Sequence, residues 1–346
     1  MGIAIENRNH SLVEVLLRNG FPADDRTVLK AVKHRRGEIL ELLLKCGADF
    51  SKIPFKEVVE AGDPDIVNLF FNNGADLYKD FPFYRGLIFE TKIWLSFYKR
   101  YLPSHPDIKL QAEMALRYLV LNKRVKGVAL LMWAGIDPRV RAPDEPSEAS
   151  DPEGWGTAMH DAARMGSLEI IKLLKPDSKK DNANDLICWS AWRYDMDLMD
   201  YWLGLGADRN YSIDGKHPVH EAVVRTVELR CRISKMSSDL SYWSAFSFLK
   251  KWFASGAKWP NPNKEEVVRL RALFNELSSS MFMDFIELLL DNEVIPLEVL
   301  REITNTPNIR KKAPKLYTTM KSYLKAKAKR NFGRPYILKK NRPEWC

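Results

Sequence analysis

Two tryptophans three residues apart and an arginine beside the second, Trp189, Trp192 and Arg193 in the segment DLICWSAWRYD, are the side chains whose types and spacing most suggest a task. That task is adhesion. An aromatic or arginine anchor buried at a contact costs ~2 kcal/mol or more when it is cut back to alanine. A second group suits anions: Lys321, Lys325, Lys327, Lys329 and Arg330 crowd one C-terminal segment, and Arg334, Lys339, Lys340 and Arg342 follow, interleaved with Phe332, Tyr336 and Trp345. Such basic clusters contact nucleic acid or other anionic surfaces, although basic runs of this size are also common on solvated helices.

Spacings that carry a catalytic mechanism do not occur. The chain has no GxxxxGK[ST] phosphate loop, no GxSxG elbow and no HExxH helix, and the GxG at Gly204-Leu205-Gly206 reads as a turn. Six histidines are scattered, and Cys46, Cys188, Cys231 and Cys346 lie too far apart for a disulfide framework or a zinc site. No metal, no cofactor and no enzyme activity are expected.

The elements that must position these residues are visible as a period. Gly20, Gly47 and Gly74 stand 27 residues apart, each closing an aliphatic run and each followed shortly by an aspartate. The segments LVEVLLRNGFPAD, EILELLLKCGADF and DIVNLFFNNGADL restate one helix-then-turn unit, which predicts stacked helix pairs, an all-α solenoid. Each unit holds short amphipathic helices whose apolar faces only a neighbouring unit can cover. The repeat glycine predicts a positive φ just past a helix end, where a Cβ is penalised.

Residues 157–174, TAMHDAARMGSLEIIKLL, resemble the ankyrin-repeat consensus: a TPLH-type helix start, a turn at Gly166 and an EIVKLL-type second helix. Pro218-Val219-His220-Glu221-Ala222-Val223 is similar to the same start, and Gly206-Ala207-Asp208 and Gly256-Ala257-Lys258 are similar to the turn that ends a repeat. The resemblance reaches from the N-terminus to about residue 296. It implies an all-α ankyrin-repeat solenoid of about eight helix-turn-helix units with insertions and a C-terminal helical cap. Counted by turns, second helices fall near 11–18, 37–45, 63–72, 125–134, 167–174, 195–204, 244–254 and 281–291. The resemblance also assigns His160 and His220 a structural role, bonding backbone in a neighbouring loop, while Ala162 and Ala163 let helix pairs approach closely.

Departures from the consensus carry their own expectations. The first three units are shorter than the roughly 33 residues of an ankyrin repeat, so their projecting hairpin fingers should be stunted or absent. The aromatic stretch from Phe81 to Tyr101 is expected to add one helix packed on the stack, and residues 226–243 form a further insertion. Pro138 to Glu153, acidic and proline-rich where a finger should be, is expected to be a mobile loop. Trp259 stands either at a finger tip or against the inserted segment. The chain opens at Gly2-Ile3-Ala4-Ile5, halfway through a first helix, which fits an unusual start or a removed upstream segment.

In ankyrin proteins partners dock on the concave side, formed by first helices and fingers. Aligning units by their turns puts Trp189, Trp192 and Arg193 outward on one first helix, with Ser190 and Ala191 as the small inward pair. The same columns offer Arg164 and Met165, Tyr118 and Leu121, and Val224 and Arg225. A register one residue off would instead bury both tryptophans in the core, and both placements stand at this stage. Lys30, Lys33, His34, Glu57 and Glu60 fill the earlier columns with mixed signs, the mark of a solvated face.

The formal net charge of +9 is unevenly spread. Residues 297–346 carry 14 Lys or Arg against three glutamates, while residues 1–296 are close to neutral. Two parts follow: a repeat solenoid over 1–296, and a basic capping helix and tail over 297–346. Within the second part, Pro314 to Asn331 reads as a helix with Leu316, Met320, Tyr323 and Leu324 on one face. No secretory signal and no bilayer-length apolar run occur, so a cytoplasmic monomer is expected, in a host cell if the chain is a delivered effector. Its expected partner is another protein, with nucleic acid or an anionic surface at the tail as the alternative, and no membrane insertion.

Overall fold

The computed structural model describes residues 1–146, 154–211, 222, 240–257, 283–293, 295, 297–305, 309–312 and 314–330. His220, Val224, Arg225, Cys231, Trp259, Arg334, Lys339, Lys340 and Cys346 lie outside them, as do 147–153 and most of 226–243. The chain divides into two compact units, Met1–Asp177 and Ser178–Cys346. All regular structure among the described residues is helical, and the one β-type pairing is an isolated bridge between Ala142 and Gly156.

Six helix pairs build the first unit. They are α1 (Gly2–Glu6) with α2 (His10–Arg18), α3 (Asp25–Lys33) with α4 (Gly37–Lys45), and α5 (Phe55–Ala61) with α6 (Pro64–Asn72). Then come α7 (Pro82–Phe89) with α8 (Thr91–Tyr101), α9 (Ile108–Leu121) with α10 (Val125–Trp133), and α11 (Ala158–Met165) with α12 (Leu168–Leu174). Odd-numbered helices touch their successors from α1 to α11. Even-numbered helices do the same, with α6 meeting α8 through Phe71 against Phe97 and through Arg100 donating to Asn68 at 3.0 Å.

The turns explain why four of these pairs look alike. At the end of α2, Gly20 (φ +83°) donates to Leu17 and Phe21 donates to Leu16; α4, α6 and α10 end the same way at Gly47, Gly74 and Gly135. This six-to-one pattern satisfies the last carbonyls of a helix and needs one left-handed residue, as the glycine period predicts. A second left-handed residue sits twelve positions earlier, at the end of the first helix of a pair. There Arg8, Arg35, Gly62 and Lys123 take φ between +52° and +64°, and Asn9, Arg36 and Arg124 donate back to Ala4, Ala31 and Leu119. Two of the arginines that follow such turns also tie units together: Arg36 donates to the carbonyls of Ile5 and Glu6, and Arg124 to that of Ile88.

The aromatic stretch corrects the sequence-based count. Residues 81–101 form two helices rather than one, and α7 and α8 occupy regular places in the two rows, so the first unit holds one pair more than the turn glycines indicate. Pro82 opens α7, and Gln111 of α9, almost fully buried, accepts from the N–H groups of Phe83 and Tyr84 while donating to Leu77. A neighbouring side chain thus caps donors that the local sequence leaves unmet. Trp94 lies over Gly86 so closely that a Cβ there would stand 1.9 Å from its ring, and Phe55, Phe71, Phe83 and Phe97 close around the indole. Aromatic pairs of this kind are worth ~0.5–1.5 kcal/mol each beyond their buried area.

At the proline-rich segment, Ala142 and Gly156 exchange two backbone hydrogen bonds, and Arg141 donates to the carbonyl of Trp155. Elsewhere in the first unit no strand forms between pairs among the described residues, in keeping with short fingers.

In the second unit, α13 (Ala183–Arg193) pairs with α14 (Met196–Gly204), and α14 meets α15 (Leu240–Ala254). Left-handed Tyr194 and Gly206 repeat the two-turn pattern, again twelve residues apart. Farther along, α16 (Met283–Asp291), α17 (Leu297–Asn305) and α18 (Ile309–Lys312) all pack on α19 (Pro314–Arg330). The face expected to pack does so: Leu316 and Met320 are buried and Tyr323 and Leu324 half-buried.

Candidate interaction faces

On α13 the capping begins at Asn182, which accepts from the Asn184 N–H, while Asn184 itself accepts from Asp208 at 2.6 Å. The apolar spacing then buries Leu186, Ile187, Ser190 and Ala191. Trp192 is 39% exposed, Arg193 is exposed and Trp189 is half-buried, the two indole centroids lying 6.3 Å apart at 51°. Ser190 and Ala191 are therefore the inward pair, as the turn alignment expects, while Trp192 leans out and Trp189 stands between core and surface.

Beside them Arg193, Asp197, Phe248 and Lys251 line a recess of about 640 Å³. Burial, with Asp185 adding, pushes the thiol of Cys188, one turn before Trp192, up to about 12, which keeps it protonated near neutral pH.

In the first unit Tyr118 is half-buried, edge-on to Tyr84 of α7 at 6.1 Å. Burial raises the Tyr84 phenol to about 12, with Glu145 adding its charge. Met165 is half-buried, and exposed Arg164 bonds Asp161 of its own helix at 3.0 Å. Between them lies a residue that sequence reasoning missed. Arg117, only 4% exposed, donates its Nε to Asp161 at 2.7 Å, and its other nitrogens reach Asp144 and the Ala142 carbonyl. Gly156 has no side chain there, because a Cβ would stand 2.6 Å from the guanidinium. The local signal was an arginine just before Tyr118 in the apolar second half of α9, and its partners are distant in sequence.

His160 bonds the Thr157 hydroxyl at 2.9 Å, at the cap of its own helix, where the ankyrin resemblance implied a neighbouring backbone. Lys30 pairs with Glu6 at 2.5 Å and Lys33 with Glu57 at 3.4 Å, so these mixed columns pair among themselves at the surface.

The basic residues of α19 divide. Lys321 donates to the Tyr317 hydroxyl at 3.0 Å, a bond that lowers the phenol's pKa, while Lys327 pairs with Glu293 and lies 5.8 Å from the Tyr323 ring. Lys325 is exposed. Lys329 and Arg330 end the helix. No cluster of metal-ligating side chains occurs among the described residues, and no helix among them is long and apolar enough to cross a membrane. No family model matches this chain, and a search of the curated proteins finds no match.

Proposed function

We propose that this is a divergent ankyrin-repeat protein of the cytoplasm, a non-catalytic binding module that serves as an adaptor or stoichiometric inhibitor, and that Trp189, Trp192 and Arg193 grip its protein partner. The observation that carries this reading is the division of α13: small Ser190 and Ala191 face inward while Trp192 and Arg193 are exposed, with half-buried Trp189 against the Trp192 indole. Side chains of this kind concentrate the energy of protein interfaces. Tyr118, Arg164 and Met165 are the matching positions of the first unit. The paired helices with their two left-handed turns support the ankyrin assignment.

The test begins with affinity purification of the full chain and identification of its partner by mass spectrometry. The double variant Trp189→Ala/Trp192→Ala should then bind that partner at least about 30-fold more weakly, equivalent to ~2 kcal/mol, with unchanged helicity. Unaltered affinity in a folded variant would move the contact elsewhere.

One observation favours a second reading. Helix α19 contains no acidic residue and exposes Lys321 and Lys325, which suits nucleic acid or another anionic surface. Binding through it should weaken steeply with salt, whereas an aromatic-anchored contact should not.

A further inference from the structure

Helices α8 and α10, TKIWLSFYKRY and VKGVALLMW, contain between them four basic residues and no acidic one. They lie side by side and parallel. The hydroxyl of Thr91 at the start of α8 is within 3.4 Å of a Cβ placed on Gly127 near the start of α10, and at the far ends the Lys99 ammonium sits 3.7 Å from the centre of the Trp133 ring. Lys92, Ser96, Lys99 and Arg100 share one exposed face of α8, and Lys126 and Trp133 the exposed side of α10. Trp133 is 74% exposed. At the opposite end, about 12 Å away along a helix of this length, Phe89 is 63% exposed beside Ile88, whose carbonyl Arg124 holds.

We propose that this α8–α10 face is a docking surface for an anionic lipid headgroup layer, apart from the α13 face assigned above. Charge complementarity is the first argument, since Lys92 and Lys126 make no ion pair with a described residue and neither helix carries an acid. Composition is the second. Lysine is depleted at protein interfaces, while single protruding aromatics among lysines suit a headgroup boundary, where indole bodies sit below and ammonium groups above. The Lys99–Trp133 contact is the third: the ammonium lies over one face of an otherwise exposed indole, so ring and charge are presented together, as a headgroup boundary would take them. Docking is peripheral, through side chains, with no helix entering the bilayer.

Co-sedimentation of the full chain with phosphatidylcholine vesicles, alone or with about one third phosphatidylserine, tests the proposal, because basic residues near such a surface each contribute a several-fold gain in partition. The unsubstituted chain should sediment with the mixed vesicles at low salt and be released as salt rises. Lys92→Glu and Lys126→Glu should each weaken partition by about five- to tenfold, and Trp133→Ala by a similar factor, with circular dichroism unchanged. The control variants Lys321→Glu/Lys325→Glu and Trp189→Ala/Trp192→Ala should retain that sensitivity, which separates this face from α19 and from the proposed protein site. Three results would each overturn it: no phosphatidylserine-dependent sedimentation, sedimentation lost only in the α19 variant, or α8–α10 variants that instead abolish binding of a single-stranded oligonucleotide.

Discussion

Two buried charged side chains one turn apart on α9 meet opposite fates. Arg117 is enclosed with Asp161 and Asp144 about it, and a buried charge so paired is strongly destabilising to orphan. Glu113, 6% exposed at its side chain, has only the Lys109 ammonium at 3.7 Å and leaves one oxygen without a hydrogen bond. Burial therefore raises its carboxyl to about 7, with Asp137 adding and Lys109 opposing. A raised folded pKa means the folded chain holds a proton that the unfolded chain releases, so this group's contribution declines as pH rises from about 4.5 to about 7. Glu113→Gln should lose that slope and gain on the unsubstituted chain by ~3 kcal/mol at pH 8, read by urea unfolding across the range. Parallel profiles would mean the carboxylate is well solvated.

At the scale of elements, legibility in the sequence depends on which residue occupies each left-handed position. Second helices could be bounded because glycine marks their ends, and those of the described residues fall within a few positions of where the turns put them. Four first helices end on Arg8, Arg35, Lys123 and Tyr194, side chains that announce no turn, whereas α5 and α11 end on Gly62 and Gly166. The α7–α8 break was invisible for a related reason: Glu90 between them has φ near −129° and no glycine marks it. Likewise the outward lean of Trp192 followed from a glycine-based alignment. The Arg117 cluster and the Lys99–Trp133 pair join residues far apart in sequence, which no local pattern reveals. Since a left-handed conformation costs a residue with Cβ ~1 kcal/mol or more, partly offset by glycine's greater freedom when unfolded, Arg35→Gly and Lys123→Gly should each stabilise the fold by roughly 0.5–1 kcal/mol. A lowered urea midpoint would show that these side chains make contacts worth more than the strain.

Across the whole molecule, the candidate contact residues belong to different segments of the chain. The indole pair belongs to the second unit, the acid-free helix face to the first, and the excess positive charge of the chain to its last fifty residues. Each is open to separate substitution, so contacts made by one should survive the loss of another. The ring cluster around Trp94 gives the first unit something further, an optical identity. Its indole is 1% exposed and meets Phe55, Phe71 and Phe83 nearly edge-on, at 84°, 87° and 89°. A chromophore locked in so lopsided a setting rotates near-ultraviolet light strongly, and that signal vanishes once tertiary packing loosens, even where helices persist. Trp94→Phe should therefore remove a large share of the near-ultraviolet dichroism while sparing the far-ultraviolet band; an unchanged spectrum would assign the signal to other indoles. The first unit thereby carries its own reporter of tertiary packing, a buried indole set apart from exposed Trp133 of the same unit.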